Sequence, residues 1–221
     1  MINKEIISNI IEFIIVMILA FSLFIYSSSS TFFGSTSEFT HQIITSVDLY
    51  FLVIYELIIL SVLFFFLKSR NWKIKDLNLN FRFYMIFIAF ALASIRLIIG
   101  ISITNLFNLN TIEPNIEFET SIVSILLVVI VNSIYEEVLL IGYLFKRLEK
   151  FNPYIIMLLS LMIRFSFHTY QGIGNIFMIA SLGLVFGIYY IKYRKLLPLV
   201  LAHGAGNIFF FLNYNYCFID T

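Results

Sequence analysis

Long apolar runs broken by short polar stretches repeat along the whole chain. About 20 apolar residues are needed to cross a bilayer as a helix. Seven segments meet or approach that length, at about 6–26, 43–67, 83–104, 119–145, 153–170, 173–191 and 196–213. The pattern predicts an all-α, polytopic membrane helix bundle of about seven transmembrane helices. The first run is longer than the apolar core of a secretory signal and lacks a small-x-small cleavage site, so it reads as a retained span. Pro153 and Pro198 fall where the fifth and seventh helices start, positions where a missing N–H costs nothing. Pro114 falls in the loop before the fourth.

The basic residues test this count. Lys68, Arg70, Lys73, Lys75 and Arg82 lie between the second and third runs, Lys146, Arg147 and Lys150 follow the fourth, and Lys192, Arg194 and Lys195 follow the sixth. The intervening loops carry no Lys or Arg. This alternation places the basic loops and the N-terminus on the cytoplasmic side, and Asp220 on the other. Of 14 basic residues only Arg96 and Arg164 fall inside spans. The stretch 71–82 mixes Trp72, Ile74, Leu77 and Leu79 with charges and reads as lying along the inner interface, with Trp72 as an anchor.

Composition agrees. The 221 residues are 61% hydrophobic and 12% charged, against about 25% charged in a soluble domain. A net charge of +1 gives no reason to expect nucleic acid. The single cysteine, Cys217, makes neither an internal disulfide nor a thiolate metal cluster and reads as apolar filler. The chain reads as one integral membrane domain over 1–221, in a multi-pass cell-membrane protein. A bias toward Ile, Asn, Lys, Phe and Tyr suits a low-GC bacterium. The sequence leaves the oligomeric state open.

Polar residues inside the spans carry the chemistry. Glu136 and Glu137 stand side by side within the fourth, where each ionised carboxylate costs roughly 2.5–3.5 kcal/mol on insertion scales. Arg164 and His168 are four apart on the fifth span, as are His203 and Asn207 on the seventh, so each pair shares a helix face. At 1.5 Å per residue, Glu136, Arg164, His203 and Asn207 sit about 11–17 Å from the cytoplasmic end, and His168 about 22 Å. One glutamate can face a cavity while the other orients a partner. Two adjacent carboxylates titrate as a unit and suit a general base near neutral pH. A neutral His and an Asn amide suit an oxyanion. Together they describe water attacking a carbonyl. Glu136, His168 and His203 could instead hold a divalent metal, but no HExxH spacing appears, and the reading takes no cofactor. Ala202, Gly204, Ala205 and Gly206 let a neighbouring helix approach His203, and Gly183 with Gly187 reads as a packing pair. Glu12, Asp48, Glu56 and Arg96 also fall within spans, and Arg96 is expected to pair with Asp48 or Glu56. His41 reads as a solvated loop residue.

These residues resemble the CAAX protease and bacteriocin-processing (CPBP/Abi) family of intramembrane endopeptidases, whose pattern is EExxxR, then FxxxH, then HxxxN or HxxxD on successive helices. The matching stretches are Glu136-Glu137-Val138-Leu139-Leu140-Ile141 followed by Gly142-Tyr143-Leu144, then Arg164-Phe165-Ser166-Phe167-His168, then His203-Gly204-Ala205-Gly206-Asn207. The resemblance covers about 120–212, so the catalytic helix core is expected over 119–213, while 1–110 match only as membrane spans. Ile141 stands at the family's Arg and Arg164 at its Phe, so Arg164 is expected to supply the orienting guanidinium through a bidentate pair with a glutamate. The resemblance implies cleavage of a membrane-bound peptide or protein substrate, as in bacteriocin or peptide-signal processing or self-immunity. It implies Glu136 as activating water with Glu137 supporting it or orienting a partner, which of the two does which being left open by the spacing, His168 as assisting the base or binding the oxyanion, and His203 and Asn207 as stabilising the oxyanion. The alternatives are a non-catalytic immunity or membrane scaffold protein and a proton-coupled carrier.

Overall fold

The computed structural model describes residues 4–34, 42–108, 116–169 and 173–216. His41, Pro114, Cys217 and Asp220 lie outside them. Seven helices follow in the order the apolar runs predict. They are α1 Lys4–Gly34, α2 Ser46–Ser69, α3 Tyr84–Leu106, α4 Ile122–Arg147, α5 Pro153–His168, α6 Ile173–Tyr193 and α7 Leu197–Tyr216. Five helices have the length and composition to cross a membrane, whereas Pro153–His168 and Leu197–Phe211 are shorter apolar helices. At 1.5 Å per residue, α5 is only about 24 Å long, so Arg164 and His168 in its last turns lie at depth. Asn152 caps this helix by accepting from the Tyr154 amide at 2.9 Å, and Pro153 occupies its first turn. Phe51, Phe65, Phe87 and Phe90 on the outward faces are 65–73% exposed, as a lipid-facing surface requires.

Packing runs in a circuit. α4 lies against α2 and α7, α3 against α7 and α6, α6 against α5, and α5 against α1, which touches α2. At one end Glu12 of α1 accepts from Arg70 at 2.9 Å and from Arg147, while Lys150 pairs with Glu5 at 2.8 Å. These contacts gather the start of α1 and the ends of α2 and α4 at the side that the positive-inside bias assigns to the cytoplasm. Glu12 therefore belongs to that end of the bundle. Trp72 packs on Tyr143, with ring centroids 5.3 Å apart, and Leu77 and Leu79 pack against the core.

At the opposite end is an element the apolar pattern does not announce. Gln42–Thr45 (β1) and Ile116–Glu119 (β2) pair as parallel strands, Gln42 opposite Ile116 and Thr45 opposite Glu119. They lead into α2 and α4, two neighbouring helices that run the same way, and parallel pairing follows from that. The helices accordingly start at 46 and 122 rather than at 43 and 119. Asp48 is part of this junction. It accepts from the Thr45 amide at 2.8 Å in a capping box, so it is spent on its own helix start and not on Arg96.

Within α4, Val138–Tyr143 winds as a π-helix immediately after the two glutamates. Such turns insert a residue into an α-helix and recur at functional sites. Leu139, Leu140, Ile141, Tyr143, Leu144 and Phe145 are all at most 1% exposed, so this segment is enclosed on every side. Gly142 admits Leu77 and Leu196, since a Cβ there would stand 2.8 and 2.9 Å from their methyl groups. Gly183 and Gly187 do the packing their spacing predicts. A Cβ on Gly183 would collide with Leu161, and one on Gly187 with Met157, both on α5. Gly187→Leu is therefore expected to force α5 and α6 apart at a cost of about 1–3 kcal/mol. A thermal melt in detergent checks this, and an unchanged melting temperature would contradict the packing.

Candidate active site

Where α4, α5 and α7 approach one another, the bundle encloses a charged group. Arg164 is 1% exposed. Its Nη1 donates to Glu136 Oε2 at 2.8 Å and its Nη2 to Glu137 Oε1 at 2.9 Å. The arginine thus spans both carboxylates with one bond to each, rather than forming the expected bidentate fork on a single glutamate. The π-turn accounts for Ile141, which is 0% exposed and packs with Ala89, Leu144 and Leu199 in the apolar core. Arg164 meets both carboxylates from the facing helix.

Glu137 is the more enclosed of the pair, at 0% exposure against 5% for Glu136. Its Oε1 also accepts from His203 Nδ1 at 2.7 Å, and its Oε2 is buried with no hydrogen-bond partner among the described residues. A carboxylate oxygen paired with Arg164 only accepts, so His203 donates through Nδ1 and turns Nε2 elsewhere. His168 Nδ1 lies 2.9 Å from the Arg164 carbonyl, which only accepts, so Nδ1 is the donor. The His168 ring packs on Phe167 at 4.5 Å and lies within electrostatic reach of Glu136 and His203.

Asn207 sits one turn beyond His203 and donates through Nδ2 to Asn132 Oδ1 at 3.3 Å. Asn132 is one turn before Glu136, a spacing legible in the sequence but carrying no motif. Its own Nδ2 donates to Glu56 Oε1 at 2.8 Å. Glu56 is thereby engaged with Asn132 and not with Arg96. Arg96 instead lies against the backbone of α7 at Gly206, where a Cβ would strike the guanidinium. Its Nε is buried without a hydrogen-bond partner among the described residues. Gly204 faces Ser133 and Val129 of α4, the close approach that the small residues around His203 predict.

Glu136, Glu137 and His203 each bring a ligand atom within 4.8 Å of the others, the spacing of a metal site. This trio holds Glu137 where the sequence reading has His168. Arg164 bonds Glu136 Oε2 and Glu137 Oε1, and His203 bonds Glu137 Oε1, so a cation there would share the carboxylates with a fixed guanidinium.

Breaking a buried ion pair from one side costs about 3–5 kcal/mol because a charge is left uncompensated. Arg164→Ala is expected to lose that much stability. Adding Glu136→Gln and Glu137→Gln to it should recover most of the loss, since the stranded charges are then gone. Melting temperatures of the single and triple variants test this; equal values would mean that the carboxylates do not depend on Arg164.

A family model described as type II CAAX prenyl endopeptidase Rce1-like matches residues 118–209, the stretch holding Glu136, Glu137, Arg164, His168, His203 and Asn207. No curated protein and no solved structure matches the chain.

Proposed function

We propose, taking as premise that residues 118–209 carry the core of the CAAX prenyl endopeptidase family, that this membrane protein hydrolyses a peptide bond of a membrane-associated peptide or protein with a water activated by glutamate. The observation that carries the reading is the buried cluster in which Arg164 grips both Glu136 and Glu137 while His203 bonds Glu137. A chain that needed only to cross the membrane would have no use for it.

Glu136 is the base and Glu137 the orienting group. Glu137 is fully enclosed and spends one oxygen on two partners, whereas Glu136 gives Arg164 a single oxygen and keeps some exposure. Glu136 takes a proton from water as the water oxygen bonds to the scissile carbonyl carbon. The carbonyl oxygen becomes an oxyanion, for which His203 and Asn207 are the stabilising groups, with His168 assisting. On collapse the C–N bond breaks and the proton passes from Glu136 to the departing amine. His203 reaches the oxyanion through Nε2 as an imidazolium whose proton stays on the ring throughout the step, with Glu137 balancing the charge. The reading needs no metal, because Arg164 supplies the positive charge that fixes the carboxylates.

A bacterial cell membrane and a role in bacteriocin or peptide-signal processing, or in self-immunity, are the biological setting that the sequence composition and the family resemblance favour. Purified protein should cleave a member of a panel of membrane-bound precursor peptides. Glu136→Gln should lower kcat by about a hundredfold or more, and Glu137→Gln should lower it too, both with folding intact. A chelator should leave the wild-type rate unchanged. If both Gln variants kept the cellular phenotype of the wild type, the protein would act as a non-catalytic immunity or scaffold protein.

A further inference from the structure

Three polar side chains from three helices form a line through the bundle beside the carboxylate cluster. Glu56 comes from α2, Asn132 from α4 and Asn207 from α7. Glu56 is 0% exposed, and its Oε2 has no hydrogen-bond partner among the described residues. A carboxylate buried at this depth without a cation is costly to hold, and among the described residues no cation bonds it. A buried carboxylate of this kind asks for a role.

The direction of the hydrogen bonds supplies one. Asn132 Nδ2 donates to Glu56 Oε1 at 2.8 Å, so Oε1 offers a lone pair there. With its NH2 on Glu56, Asn132 turns its Oδ1 toward α7. Asn207 then presents its own NH2 to that oxygen at 3.3 Å. One Asn207 N–H is used in this bond. The second remains on the same nitrogen, one helical turn from His203. Without Glu56 either amide could flip, and a flipped Asn207 would turn an acceptor oxygen toward the site. An acceptor there would repel a developing oxyanion.

We propose that Glu56 and Asn132 are positioning residues that fix the Asn207 side-chain amide with its N–H directed at the oxyanion. This deepens the endopeptidase reading and rests on it. It also gives α2, which lies outside the family-matched stretch, a part in the reaction.

Four variants test the relay: Glu56→Leu, Glu56→Gln, Asn132→Leu and the double Glu56→Leu/Asn132→Leu. Leucine removes the acceptor at 56, whereas glutamine can keep an oxygen toward Asn132. Loss of one preorganised oxyanion donor lowers kcat by about 10²–10³-fold. Glu56→Leu and Asn132→Leu should each lower kcat by about tenfold or more, with KM little changed. Glu56→Gln should stay within about threefold of wild type, and the double variant should be no slower than Asn132→Leu, because the two act as one unit. The double variant should melt at or above the wild-type temperature, since it removes a buried orphan carboxylate. Wild-type kcat in Glu56→Leu, or a double loss equal to the product of the single losses, would overturn the relay. So would a melting temperature that falls together with kcat in the double variant.

A second readout does not depend on turnover. In protein labelled with ¹⁵N-asparagine, the Asn207 side-chain amide signal, identified by its loss in Asn207→Leu, should shift in Glu56→Leu and stay near its wild-type position in Glu56→Gln. If that signal responds while wild-type protein cleaves no substrate, the relay stands and the endopeptidase reading falls. If the signal does not move in Glu56→Leu, the relay falls whatever the activity.

Discussion

One guanidinium holds the site together. Glu136 and Glu137 are adjacent on α4 and both buried, so they repel each other in a medium that cannot screen them. Arg164 reaches across from α5 with one N–H on each. This contact ties α5 to α4, gives the carboxylates fixed positions, and leaves Glu137 Oε1 in place to bind His203 on α7. Three helices are thereby registered against one another through a single charged centre. The apolar packing around it, from the enclosed π-turn to the glycines of α6, brings those helices close enough for the charges to meet.

A small set of residue choices explains why the cluster sits where it does. α5 is too short to cross a full bilayer, so its last turns carry Arg164 and His168 into the interior rather than to the far surface. The π-turn buries Ile141 among core side chains and leaves the pairing to Arg164. Tyr135 reinforces the frame by donating to the Ala20 carbonyl at 2.5 Å, and Phe21 stacks on Phe167 at 5.0 Å. These contacts bind α1 to the two helices that carry the carboxylates and the arginine.

Much of this was legible in the sequence because it rests on period and charge. The seven helices follow from apolar runs, and their alternating direction from the placement of Lys and Arg. Glu136, Glu137, Arg164 and His203 were legible as a set because charges inside spans require partners. Other features depend on geometry that periodicity does not encode. The parallel strands at 42–45 and 116–119 are only four residues each and arise because α2 and α4 run side by side in the same direction. The π-turn leaves no mark in composition. Pairing of Arg96 with Asp48 or Glu56 was a reasonable charge match that fails because Asp48 caps its own helix and Glu56 meets an amide. Asn132 stands four residues before Glu136, on the same face, yet a lone asparagine carries too little signal to be singled out.

The most direct test of the central claim is a single-turnover cleavage in H₂¹⁸O, with mass spectrometry of both the product and the peptide containing Glu136. If Glu136 activates water, the new C-terminal carboxylate of the product gains one ¹⁸O, Glu136 gains none, and Glu136→Gln forms product only at a small fraction of the wild-type rate. An ¹⁸O in Glu136, or equal product formation by Glu136→Gln, would contradict the account.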